Sequence, residues 1–267
     1  MRITLLCNKD LASCVALNYL VPALSEHELT VFVSSSVGNQ TPASADLLLL
    51  KFYEQQLFND ILFPLLDESH AYKTPRLLSF SRLSKLIGKP IEVLQGINQP
   101  QGLQRFATSA PQLVLSIRFG SILKEAALAI PELGVLNLHS GLLPNYQGVM
   151  ATFRALLNGD TEIGTTLHWI DDSSIDSGRI IATTAMPVTT GKSYLWHVLA
   201  LYEQGCKTML AAVAQLAQGT TPVARPQPPG GNYFSFPSQA ELDAFHAAGW
   251  ELVIPREIDH IAKQFMG

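Results

Sequence analysis

Hydrophobic residues in the first half of the chain follow two alternating patterns. Short, mostly apolar runs at residues 2–7, 29–34, 90–94, 113–117 and 135–138 are rich in Leu, Ile and Val. They predict strands buried on both sides. Between them, apolar positions recur at helical spacing over residues 10–22, 45–66, 78–87 and 123–129. The second of these is one long or broken helix, and Asn8 or Asp10 is placed to cap the first. Strands and helices in regular alternation predict an α/β fold: a Rossmann-like, mostly parallel sheet with helices on both faces.

The second half changes rhythm. Residues 151–157 are helical in pattern, 164–170 and 179–187 read as two strands around a polar turn, and 193–217 form a long amphipathic helix. The stretch TPVARPQPPGG then breaks the periodicity with four prolines. It predicts a linker or an extended arm lying against the body. Ser238 is placed to cap a further helix running to Ala248. These shifts divide the chain into residues 1–219, a catalytic unit, and 220–267, a Pro-rich arm with a small C-terminal extension.

Composition narrows the class. Of the 267 residues 47% are hydrophobic and 15% charged, enough for a large core and too apolar for disorder. A net charge of -4 and the lack of a long basic run argue against nucleic acid and anionic membranes as partners. Three scattered cysteines, Cys7, Cys14 and Cys206, fit a reducing cytoplasm. Asn8, Lys9 and Asp10 interrupt the opening apolar run, so it reads as strand, turn and helix rather than a leader. No uninterrupted apolar stretch is long enough to predict a membrane span.

Two polar features break the apolar pattern. In VLNLHSGLLPNYQG, Val135, Asn137 and His139 share one face of a strand. The polar pair falls at the strand's carboxyl end, where open α/β sheets form ligand crevices. Spacing alone leaves open a packing role for both. In IDDSSIDSGRII, Asp171 and Asp172 suit a solvated turn, whereas Asp176 lies next to the returning strand and can reach the same crevice. His168, in GTTLHW, reads as a satisfied strand histidine.

The order of these blocks (N-x-H, then LLPxYxG, then a helix ending in NGD, then GTTLHW, then a turn ending DSG) resembles the folate-dependent formyltransferase family. That family includes glycinamide ribonucleotide, methionyl-tRNA and sugar-nucleotide N-formyltransferases. The resemblance is good over residues 111–219 and loose before them. It implies transfer of a formyl group from 10-formyltetrahydrofolate to an amine, with Asn137, His139 and Asp176 as the catalytic residues. It further implies that SIRFGSIL holds the donor's pterin through Arg118, Phe119, Gly120, Ser121 and Ile122. The turn Ile170, Asp171, Asp172 and Ser173 would close the other side. For Arg118 two roles stay open: a surface charge, or a partner for the folate tail or the substrate. The same resemblance implies no metal.

Departures from the family bear on the acceptor. The glycine-rich first loop of the glycinamide enzymes is replaced by CNKDLAS, which has no glycine, and no basic barrel domain follows residue 219. Gln147 and Gly141 stand where arginine and serine are usual. The expected acceptor is a small-molecule amine on a compact scaffold, such as an aminosugar nucleotide or an amino-acid-like amine. It would be met by Asn8, Lys9, Gln147 and Tyr233. Hydrolysis of the donor, a methionyl-tRNA-type activity and a non-catalytic folate-binding role are the alternatives. The expected assembly is a monomer or homodimer in the cytoplasm. A cis Leu143–Pro144 bond is a further expectation.

Overall fold

The structure is a computed structural model, and it describes residues 1–34, 44–68 and 75–266. In chain order it contains β1 (Arg2–Asn8), α1 (Leu11–Ala23), β2 (Glu28–Ser34), α2 (Ala45–Lys51), a π-helical segment (Phe52–Leu62) and α3 (Phe63–Glu68). Then come α4 (Phe80–Ile87), β3 (Glu92–Val93), α5 (Pro100–Thr108), β4 (Leu113–Ile117), α6 (Glu125–Leu128) and β5 (Val135–His139). The remainder is β6 (Gln147–Gly148), α7 (Ala151–Leu157), β7 (Glu162–Trp169), β8 (Ile180–Pro187), α8 (Tyr194–Ala217), β9 (Tyr233–Phe234), α9 (Gln239–Ala247) and α10 (Pro255–Met266).

Seven strands form one sheet in the order β3-β2-β1-β4-β5-β7-β8. The first five are parallel; β7 runs antiparallel to β5, and β8 antiparallel to β7. The order reverses between β1 and β4, so a crevice opens at their carboxyl ends. Alternate residues of each strand feed two cores. Ile3, Leu5 and Cys7 pack with Leu115, Ile117, Leu136 and the buried face of α8, while Leu6, Val114 and Val135 pack with Phe32, Leu94 and Phe106 on the other side. That double burial is why the strands carry no polar alternation.

Local signals set the elements as expected, with instructive exceptions. Asp10 caps α1 by accepting from Ser13 N at 2.7 Å, and Ser193 caps α8. The expected helix over 45–66 is continuous in path but winds as a π-helix through its middle. Two helices absent from the sequence reading are α5 and α10. The C-terminal extension packs into the main core: Leu242, Phe245, Ile258 and Phe265 belong to it, and Phe265 lies 5.0 Å from Phe63, centroid to centroid. The Leu143–Pro144 bond is cis.

Candidate active site

β5 brings the polar pair to its carboxyl end, and β7 supplies a partner from the neighbouring strand. Register places Asn137 opposite His168. His168 Nδ1 lies 2.8 Å from its neighbour's carbonyl, Trp169 O, so that nitrogen carries the proton. Nε2 is then free to accept from Asn137 Nδ2 at 3.0 Å. One amide hydrogen of Asn137 is thereby held, which fixes the direction of the other. His168 had been read as a strand histidine. Its part in the site follows from the β5–β7 register, which no local pattern reveals.

Asp176 completes the group from the turn between β7 and β8. Its Oδ2 accepts from Gly148 N at 2.8 Å and lies 3.4 Å from His139 Nδ1; its Oδ1 lies 3.6 Å from His168 Nε2. Burial alone would push this carboxyl up. The charge of His139 and the Gly148 N–H outweigh it and hold the group down at about 2, so it is ionised at neutral pH. Asp176 adopts a left-handed backbone, φ 51°. Aspartate tolerates that region better than most residues, but it persists only where surrounding contacts fix it. Gly178 ends the same turn, where a Cβ would come within 1.7 Å of Trp169 O.

His139 is 8% exposed, with Nε2 2.6 Å from Tyr146 O. Both ring nitrogens therefore face acceptors. The glycine at 141 has a steric reason: a Cβ there would meet His139 Nε2 at 2.8 Å and Ala151 Cβ at 2.5 Å.

The two segments assigned to the donor do come together. Phe119 and Ile170 both pack against the core that contains Leu6, Phe32 and Val135, and Ile122 beside them is half exposed. Gly120 N donates to Ser34 Oγ at 2.9 Å, and Ser121 is partly buried. In the facing turn, Asp171 pairs with Arg179 at 2.7 Å, Asp172 accepts from Ser174 N, and Ser173 is exposed. Among the described residues no group of three or more His, Cys, Asp or Glu is arranged to hold a metal.

Arg118 requires a correction. Its left-handed φ of 57° turns the side chain inward, where it bonds Asp10 at 2.9 Å and forms a shorter contact with Glu54 of the π-helical segment. It is neither a surface charge nor a free partner for a folate tail, because both carboxylates already hold it. Burial pushes Glu54 up, and Arg118 only partly offsets this. Tyr194 and Tyr202 of α8 carry phenols that burial also pushes up, with the charges of Glu54 and Asp10 adding to it. Asn8 is likewise corrected as an acceptor contact: it is fully buried, donates to Asp10 and accepts from Ser34. Lys9 beside it is exposed. Gln147 and Tyr233 are paired across the small β6–β9 sheet, with Tyr233 57% exposed.

The mostly parallel seven-stranded sheet with helices on both faces is the fold of solved formyltransferases. Residues 95–212 match the family described as Formyl transferase. A methionyl-tRNA formyltransferase of Xylella fastidiosa (strain M12) is 31% identical over 140 residues, 52% of this chain and 45% of that protein. The chain therefore matches about half the length of the curated relatives. Glycinamide ribonucleotide transformylase 1 from Symbiobacterium toebii superposes with a TM-score of 0.58 at 16% identity, covering 85% of this chain and 93% of that one. An N-formyltransferase from Helicobacter canadensis, solved with folinic acid and dTDP-3-aminofucose, gives 0.57 at 16% identity, covering 96% and 82%. These structures share the fold.

Proposed function

We propose that this protein transfers a formyl group from 10-formyltetrahydrofolate to the amine of a small-molecule acceptor. The observation that carries the reading is the meeting of Asn137, His139 and Asp176 at the carboxyl end of β5, with His168 fixing the Asn137 amide. When bound, the folate supplies an activated formyl carbon. Asn137 donates its second amide hydrogen to the formyl oxygen as negative charge develops there, and a protonated His139 donates a second. Asp176 stays ionised beside the His139 ring. It also orients the group that carries a proton from the attacking amine toward the departing folate nitrogen.

The acceptor side lies around Lys9, Gln147, Val149, Met150 and the exposed ring of Tyr233. Its place in the fold and the absence of a glycine-rich first loop favour a compact amine, an aminosugar nucleotide or an amino-acid-like amine, over a ribonucleotide phosphate or a tRNA. Parallel assays of formyl transfer to aminosugar nucleotides, amino acids, glycinamide ribonucleotide and charged initiator tRNA test this. Saturable transfer to a small amine is expected. Saturable transfer to the tRNA overturns the acceptor reading. Steady donor hydrolysis with every acceptor inert replaces transfer by hydrolysis.

A further inference from the structure

The TPVARPQPPGG arm does more than join α8 to α9. Arg225 and Ile180 exchange two backbone hydrogen bonds, each 2.8 Å, and pin the arm to the start of β8. A few residues on, Gln147 N donates to Asn232 O and Val149 N to Phe234 O, both at 2.9 Å, pinning it to β6. Gln227 sits between the two clamps, flanked by Pro226 and Pro228, whose rings restrict the backbone. Its Nε2 donates to Asp176 O at 2.7 Å and to Gly178 O at 2.8 Å. Gln147 Nε2 reaches the same Asp176 carbonyl at 3.3 Å.

We infer that Gln227 is a positioning residue for the catalytic turn: its amide locks the left-handed Asp176 backbone and so aims the carboxylate at His139, His168 and Gly148. The inference rests on the reading of Asp176 given above. The geometry has a specific logic. Asp176 is a non-glycine residue at φ 51° whose side chain must serve three neighbours at once. A carbonyl free of Gln227 lets the peptide relax toward the ordinary right-handed region, and that rotation swings the carboxylate away from both imidazoles. One amide bridging the carbonyls on either side of Ser177 blocks the motion, because the two acceptors must move together. Asn137 and His139 stand on a strand and need no such brace. Asp176 stands on a turn, and the brace comes from a part of the chain outside the segment that matches the family.

Gln227→Met keeps the length of the side chain and removes both N–H donors. We expect kcat for formyl transfer to fall about tenfold to hundredfold with KM for the donor little changed, the usual range for loss of a contact that orients a reacting group. The readout that a purely structural contact would not move is the titration of Asp176, followed by 13C NMR of labelled aspartate. In Q227M it should rise from about 2 toward the ordinary carboxylate range. Q227E supplies a second variant, for use also if Q227M does not fold. A carboxylic acid can donate one of the two bonds only while protonated, so its kcat relative to wild type should drop as pH rises through that group's titration. Wild-type kcat together with an unmoved Asp176 titration in Q227M, or a Q227E profile parallel to wild type, overturns the inference. If the wild-type protein transfers no formyl group to any acceptor, the functional reading fails, and the Asp176 titration still decides whether Gln227 holds the turn.

Discussion

Two polar clusters lie along the same edge of the sheet, and they spend their charges differently. At the switch point between β1 and β4, Asp10 and Glu54 both hold Arg118. One strand away, Asn137, His139, His168 and Asp176 leave a donor uncommitted and hold an aspartate in a left-handed backbone. The first has the form of scaffolding: an arginine at the switch point held by two of the protein's own carboxylates. The second has the form of a site, because its hydrogen bonds orient groups without using them all. Burial is similar in both, with side-chain exposures of 17% for Arg118 and 12% for Asp176, so burial does not separate them. The partners do: the first cluster ties carboxylates to a permanent cation, and the second sets a carboxylate between two imidazoles.

The contrast can be broken by exchanging the roles. Arg118→Met leaves two buried carboxylates facing each other without a cation. Stability should fall by about 3–5 kcal/mol, the range for removing one member of a buried pair. Adding Glu54→Gln should recover part of the loss. Denaturant unfolding measures both, and an R118M variant as stable as wild type would remove the scaffolding role.

A ligand sharpens the contrast from the other side. A folate at a hundred times its dissociation constant adds about 2.7 kcal/mol to the native state, at least a couple of degrees in Tm for a domain of this size. Saturating 5-formyl- or 10-formyl-folates should produce that shift. No shift would place the donor elsewhere.

The smallest effect concerns pH. The Asp176 carboxyl is held at about 2, below its ordinary 3.8. A depressed acid stabilises the fold fully above its unfolded value and loses that contribution as pH falls toward the folded one. Wild type should therefore lose about 2 kcal/mol more than Asp176→Asn between roughly pH 4 and pH 2. Parallel unfolding curves for the two proteins across that window would contradict the charge environment described for the turn.

How much of this was legible depended on how local each signal is. The strands β1, β4 and β5 are continuous apolar runs, and period and composition suffice for them. Asn137 and His139 stood out because polar residues alternate on one face of such a run. Helix α5 was missed because its buried positions are only Gly102 and Phe106, with a glycine weakening the helical signal. Helix α10 had a readable signal in Pro255 at its start and Ile258, Ile261 and Phe265 at helical spacing. The roles of Arg118 and His168 were beyond local reading. A positive φ reverses the first side chain, and the second meets Asn137 only through strand pairing across 31 positions. Gln227 is further still: nothing in a Pro-rich arm announces that its one amide bridges two carbonyls of a turn fifty residues earlier.

The most direct test of the central claim is the turnover of 10-formyltetrahydrofolate, in the presence of an accepted amine, by Asn137→Ala against wild type. Asn137 contributes one oriented donor and little to the core, so the variant should fold with a Tm close to wild type. Its kcat should fall about 100- to 1,000-fold, the typical loss for one oxyanion donor. Near-wild-type turnover by a folded Asn137→Ala protein would contradict the assignment of the β5 edge as the reacting centre.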